Sequence, residues 1–201
     1  MKTKVHYKIK KIKDISKDNL DLFFSIFQKY YEGTDFSQFK TDFYNKTHVF
    51  VIYDKNNIIG FSTIKRHRLS QFKNSLFIYS GDTVLEKEYW GSKIIQKAFF
   101  QYIVSSKLLV PTGHLYWVLM SKGHKTYLMM KRNFKKSYPD YKKPTPPSLL
   151  KIQHYYYEQL FKNEYKKDLG LVIYNKPKDR VEDNIAYPDQ KALKDPHVQF
   201  F

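Results

Sequence analysis

The chain contains no cysteine, which excludes disulfides, thiolate metal sites and a cysteine nucleophile, and fits a reducing compartment. Long apolar runs are missing too. The longest uncharged stretch, residues 108–121, includes Pro111 and Gly113 and falls short of the roughly 20 apolar residues that a membrane-spanning helix requires. No apolar segment follows the N-terminal lysines, because Val5, Tyr7, Ile9 and Ile12 are interleaved with Lys8, Lys10 and Lys11. A secretory leader is therefore not expected, and the protein is expected in the cytoplasm. Histidines are scattered singly and lack His-Glu-x-x-His spacing, so no metal site is expected. There is neither a Gly-x-Ser-x-Gly elbow nor a Gly-x-x-x-x-Gly-Lys phosphate cradle, which argues against hydrolase and P-loop chemistry.

Acidic residues are scarce: 19 Asp plus Glu face 36 Lys plus Arg, a net charge of +17. Such a field favours anionic partners, among them nucleic acid, anionic lipid, phosphate cofactors and acidic carrier proteins. Arginine, the residue that reads phosphates and bases with a planar fork, occurs only at Arg66, Arg68, Arg132 and Arg180. Lysines recur in nearly every segment, the pattern of a solvated surface. A nucleic-acid partner is accordingly disfavoured.

Within 201 residues, 42% are hydrophobic and 18% aromatic, enough for one globular domain with a sizeable core. That domain is expected over residues 1–175. Residues 176–201, where periodicity fades, are expected to form a tail or arm. Residues 5–12 alternate as a strand. A helix capped by Asp18 carries Leu20, Phe23, Phe24, Phe27, Tyr30 and Tyr31 on one face until Gly33, and Phe36, Phe39 and Phe43 suggest a second. Both aromatic stripes read as core. The segments 49–53 and 58–64, joined by Asp54-Lys55-Asn56-Asn57, read as a hairpin, with Lys65-Arg66-His67-Arg68 as a basic tip. A strand over 75–85, a loop over 86–92 and a helix from Ile94 to Ile103 follow, then a strand over 115–120 and a short helix over 125–131. Strand, helix and strand in this order predict a crossover between near-parallel neighbours. A Pro-rich connector, a helix ending near Phe161 and a strand over 169–174 complete the chain.

The order of elements, and above all Gly81-Asp82-Thr83-Val84-Leu85-Glu86-Lys87-Glu88-Tyr89-Trp90-Gly91-Ser92-Lys93-Ile94-Ile95, resembles the GNAT superfamily of N-acyltransferases. The resemblance covers roughly residues 5–175 and implies an α/β (α+β) fold, a mixed, strongly twisted sheet flanked by helices. It also implies that the backbone at Val84 and Leu85 pairs with a pantetheine arm, and that Trp90, Gly91, Ser92, Lys93 and Ile94 surround a phosphate at a helix N-terminus. The family's loop usually reads Arg/Gln-x-x-Gly-x-Gly/Ala; here Trp90, Lys93 and Ile95 replace its Arg or Gln, its first Gly and its last residue. Side chains at the latter two positions crowd a backbone approach that glycine permits. The co-substrate implied is acetyl-CoA or a longer acyl-CoA, or an acyl-phosphopantetheine carrier protein, whose acidic surface would suit the positive field.

By the same resemblance, Asp82 or Glu86 is the candidate base for the amine proton and Tyr127 the candidate acid for the departing thiolate. Ser121, at the end of the 115–120 strand, either bonds the acyl amide or caps the next helix. The cleft is expected between the strands ending near Leu85 and Ser121. Two alternatives stand beside this reading: a basic aromatic module that stacks nucleic-acid bases on Tyr138, Tyr141, Tyr155, Tyr156 and Tyr157, and a catalytically inactive GNAT-fold binding protein.

Overall fold

The computed structural model describes residues 5–121, 123–174, 180–181 and 187–200. Backbone contacts divide the chain into two compact units, Met1–Met120 and Ser121–Phe201.

The first unit runs β1 (Val5–Lys11), α1 (Lys17–Phe27), β2 (Tyr31–Glu32), α2 (Phe36–Tyr44), β3 (His48–Asp54), β4 (Asn57–His67), β5 (Ser75–Leu85), α3 (Ile94–Lys107) and β6 (His114–Leu119). Five strands form one sheet in the order β1-β3-β4-β5-β6. The first three pairings are antiparallel and β5 pairs with β6 in parallel. This is the mixed sheet flanked by helices that the sequence predicts, with α3 as the crossover between the parallel strands. Alternation along the strands builds two cores. Val49, Val51, Phe61 and Val84 pack against Phe23, Phe27, Phe39 and Phe43 of α1 and α2, so the aromatic stripes are core. On the other face, Phe50, Ile64 and Ile78 meet Ala98, Phe99 and Tyr102 of α3, while Ile52, Ile59 and Leu85 meet Ile94.

Three local expectations change. The cap of α1 is Ser16, whose Oγ accepts from the Asn19 N–H at 3.3 Å, rather than Asp18. The helix stops at Phe27, and Tyr30 and Tyr31 leave it. The basic segment Lys65-Arg66-His67 is not a loop tip but the last part of β4. There the Arg66 guanidinium lies 5.1 Å from the Tyr102 ring centre and donates to Ser106 Oγ at 3.2 Å, a cation–π contact that lets a charged residue sit half-buried. Beside it His48 Nδ1 stands 2.9 Å from the Tyr102 hydroxyl. Burial first, then the charges of Arg66 and Lys11, hold His48 below the usual histidine pKa.

The second unit holds α4 (His124–Asn133), α5 (Pro147–Phe161), the small hairpin of β7 (Tyr165–Lys166) and β8 (Leu171–Val172), and α6 (Pro196–Phe200). The strand expected over 169–174 is thus only two residues long, with Gly170 at φ +65° in the turn before it. Lys131 donates to Asp140 Oδ2 at 2.7 Å and to the Ser137 and Pro139 carbonyls, and the first of these contacts holds the Asp140 carboxyl below its ordinary pKa. Where a tail was expected, Val198 of α6 is buried and His197 packs edge-on against Tyr141 at 4.6 Å. Residues 175–179, 182–186 and 201, which include Phe201, lie outside the described residues. Among the described residues no helix is long and apolar enough to cross a membrane.

Candidate functional site

The site begins where β5 and β6 part. Their parallel pairing runs from Ser75 opposite His114 to Ser80 opposite Leu119, yet β5 continues to Leu85 with β4 alone beside it. A bulge marks the parting. Between the pairs Ser62–Thr83 and Ile64–Ser80, β4 supplies one residue, Thr63, and β5 supplies two, Gly81 and Asp82. An extra residue bends the strand and increases its twist. A Cβ at Gly81 would lie 2.5 Å from Thr63 Oγ1 and 2.6 Å from Lys46 Cε, so a larger residue there has to displace both side chains.

The remaining edge of β5 has a definite polarity. The Glu86 N–H donates to the Ile59 carbonyl at 2.9 Å while Gly60 stands opposite Leu85, so Gly60 and Leu85 are a non-hydrogen-bonded pair. Alternation along an antiparallel ladder then turns the N–H and C=O of Leu85 and Thr83 away from β4, and those of Val84 toward it. Consistently, the Val84 carbonyl lies 2.5 Å from where a Cβ on Gly60 would stand. Val84 therefore spends its backbone on β4; the exposed edge belongs to Thr83 and Leu85, of which the sequence singled out only Leu85. The Leu85 carbonyl already accepts from the Trp90 indole N–H at 2.7 Å. Among the described residues, nothing pairs with the Thr83 N–H and C=O or the Leu85 N–H. Val84, Leu85 and Ile94 are buried in the core clusters, so only their backbones are available to a ligand.

The loop after β5 is built to present amides. A short 3₁₀ turn over Lys87–Tyr89 is anchored by the Tyr89 hydroxyl donating to Asp54 Oδ2 at 2.7 Å. Gly91 takes φ +84°, and Lys93, the cap of α3, takes φ +59° and ψ +13° with no side-chain capping bond. Lys93 thus adopts the left-handed conformation that a glycine would supply, at a cost of about 1 kcal/mol. Ile95 packs onto the core between β-sheet and α3, which turns its side chain away from the crowding expected at that position. The first amides of α3, at Ile94, Ile95 and Gln96, have no acceptor within the helix. Lys93 and Lys97 add positive charge at the dipole's positive end. Lys93→Gly is expected to hold or raise the melting temperature, by up to about 1 kcal/mol of relieved strain, against the usual loss from introducing glycine; thermal unfolding of the variant checks this.

Of the two candidate bases, Glu86 is engaged through both oxygens: Oε1 by Lys29 and Oε2 by the Tyr30 hydroxyl at 2.9 Å. Tyr30 in turn accepts from the Lys87 N–H at 2.9 Å. Burial, then the bond to Glu86, pushes the Tyr30 hydroxyl up to about 12. This clasp ties the chain after α1 to the end of β5. Asp82 sits half-buried in the bulge itself.

Asp82, Val84, Leu85, Glu86, Trp90, Gly91, Ser92, Lys93 and Ile94 all come together along the end of β5 and the start of α3. Ser121 and Tyr127 belong to the second unit. Tyr127, 8% exposed in the first turn of α4, places its hydroxyl 3.4 Å from His197 Nδ1 and 3.5 Å from the Pro139 carbonyl. Burial, then the charges of Asp140 and Asp195, pushes it up to about 12. The Ser121 Oγ is buried without a hydrogen-bond partner among the described residues. Among those residues no three of His, Cys, Asp and Glu are grouped to hold a metal ion.

No protein-family model matches the chain, and no curated protein matches it. Solved structures similar to it include an integron cassette protein from the mobile metagenome of V. cholerae, 14% identical, covering 74% of this chain and 96% of its own, with a TM-score of 0.48. A ribosomal-protein-alanine N-acetyltransferase from Brucella melitensis is 10% identical, covering 68% of this chain and 96% of its own, with a TM-score of 0.49. An aminoglycoside N-acetyltransferase in complex with CoA is 10% identical, covering 70% and 95%, with a TM-score of 0.47.

Proposed function

We propose that the chain is a GNAT-like N-acyltransferase that takes an acyl group from a pantetheine thioester, CoA-bound or carrier-bound, and passes it to an amine. The observation that carries this reading is the free edge of β5 at Thr83 and Leu85, opened by the bulge and leading directly into the amide-presenting loop at the N-terminus of α3. A pantetheine arm is a chain of secondary amides that can pair with such an edge as an added strand does, and its phosphate matches a helix N-terminus flanked by Lys93 and Lys97.

The reaction then needs no covalent enzyme intermediate. The neutral amine attacks the thioester carbonyl, the C–N bond forms, the C–S bond breaks, and the amine's proton leaves as the thiolate departs. Positioning of the two reactants on a rigid strand supplies much of the rate. Asp82 is the favoured acceptor of the amine proton by its place in the bulge where β5 parts from β6; Glu86 binds Lys29 and Tyr30. Tyr127 is assigned no proton transfer: a hydroxyl pushed up to about 12 is a poor donor to a thiolate.

Thermal-shift and intact-mass screening against acetyl-CoA, longer acyl-CoAs and acyl-carrier protein tests the reading. A ligand at 100 times its Kd stabilises the fold by about 2.7 kcal/mol, so at least one donor is expected to raise the melting temperature measurably. Stabilisation by none of them would overturn it.

A further inference from the structure

We propose that the outward stripe of α3 is the docking face for an acidic, helical carrier protein that delivers the acyl group on a phosphopantetheine arm; this rests on the acyl-transfer reading above. Ile94, Ala98, Phe99, Tyr102 and Ser106 of α3 are buried in the sheet's core. The opposite side carries Lys97, Phe100, Val104 and Leu108, spaced three and four residues apart and therefore in one row. Phe100 is 71% exposed, Val104 45% and Leu108 72%, and Leu109 follows at 53%. Single exposed apolar residues are ordinary, but a continuous row is the mark of a binding surface.

Charge and shape choose the occupant. Residues 89–120, which include the whole of α3, contain no Asp or Glu and three lysines, Lys93, Lys97 and Lys107, so the row favours an acidic partner. A second copy of this chain, at +17, is repelled. Nucleic acid presents no apolar helix to match three aliphatic and aromatic side chains. The row is one residue wide, bordered by the exposed Gln101 and Ser105, which suits the ridge of an amphipathic helix better than the broad plane of a bilayer. Its cationic end, Lys93 and Lys97, adjoins the loop after β5. A carrier lying along α3 therefore enters with its phosphate at those lysines and its arm against Thr83 and Leu85. The thioester C–S bond to that arm breaks, the acyl carbon bonds the amine nitrogen, and the amine's proton, taken up at Asp82, passes to the departing sulfur, so that the carrier leaves as the free thiol.

The test uses the full chain and a variant carrying Phe100→Asp, Val104→Ser and Leu108→Asp, exposed positions of the row that leave β5, its loop, Lys93 and Lys97 as they are. Biolayer interferometry against an octanoyl-loaded type II acyl-carrier protein is expected to show binding that weakens at least about tenfold in the variant, with the acetyl-CoA thermal shift unchanged. Should the triple variant fail to fold, Phe100→Ser alone is expected to weaken carrier binding about threefold with the acetyl-CoA shift unchanged. The inference is overturned if carrier affinity is the same in both proteins, or if the wild type ignores the carrier while acyl-CoA still stabilises it. Loss in the variant of co-sedimentation with phosphatidylglycerol vesicles, carrier affinity being unchanged, would assign the face to lipid and overturn it too. If neither acyl-CoA nor carrier stabilises the wild type, the acyl-transfer reading itself falls.

Discussion

Replacing Thr83 with proline is expected to weaken acyl-thioester binding at least about tenfold while the chain stays folded, whereas replacing Val84 with proline is expected to unfold it. The two positions are adjacent in sequence and opposite in polarity. The Thr83 N–H faces the free edge of β5, where proline costs no bond to β4, and proline is tolerated when its missing N–H lies on a strand's open side. The substitution also removes the Thr83 hydroxyl from its 2.7 Å contact with the buried Ser62 hydroxyl. That loss costs about 1–3 kcal/mol, which lowers the melting temperature without abolishing the transition. Val84 is buried in the core and spends its backbone on β4, so proline there removes a ladder bond and displaces a packed side chain together. Calorimetric titration with acetyl-CoA, beside thermal unfolding, separates the outcomes. Unchanged donor affinity in Thr83→Pro would show that the edge is not the binding surface.

Gly60→Ala is expected to be the most damaging single methyl addition in the sheet. Its Cβ would stand 2.5 Å from the Val84 carbonyl and 2.9 Å from the Leu85 Cα. Both neighbours are backbone atoms, so neither can swing aside. Overpacking of this kind costs about 1–3 kcal/mol, and for a chain this long each kcal/mol lowers the melting temperature by roughly 2–4 °C. Because the atoms pushed are those of the donor edge, acetyl-CoA affinity is expected to fall with stability. Thermal unfolding with and without acetyl-CoA measures both; a variant as stable and as responsive as the wild type would contradict the close pairing of Gly60 with Leu85.

The helices and strands that carry one dominant periodicity were readable in the sequence. The Phe23–Phe27 and Phe39–Phe43 spacing marks the faces of α1 and α2, Asp54-Lys55-Asn56-Asn57 marks the hairpin, and strand, helix and strand from Ser75 to Leu119 mark the parallel crossover. What was not readable depends on partners distant in the chain. Arg66 looks like a loop residue until the Tyr102 ring and Ser106 are brought beneath it. Tyr30 looks like one more position of a helical stripe until Glu86, 56 residues later, takes its hydroxyl. The site shows the same division. Its segment was legible from the run Gly81 to Ile95, but which residues offer their backbone was not. Gly-Asp-Thr-Val reads alike in either register, and only the Glu86–Ile59 bond beside the Gly60–Leu85 pair decides that Thr83, and not Val84, faces outward. Lys93 in a left-handed conformation likewise hides from sequence the glycine-like turn it makes.

The most direct measurement is amide hydrogen exchange at Thr83, Val84 and Leu85, with and without a saturating acyl thioester. In the free protein Thr83 and Leu85 are expected to exchange quickly and Val84 slowly; donor is expected to slow Thr83 and Leu85 by about tenfold or more and to leave Val84 unchanged. Exchange at Thr83 and Leu85 that does not respond to saturating donor would contradict the account.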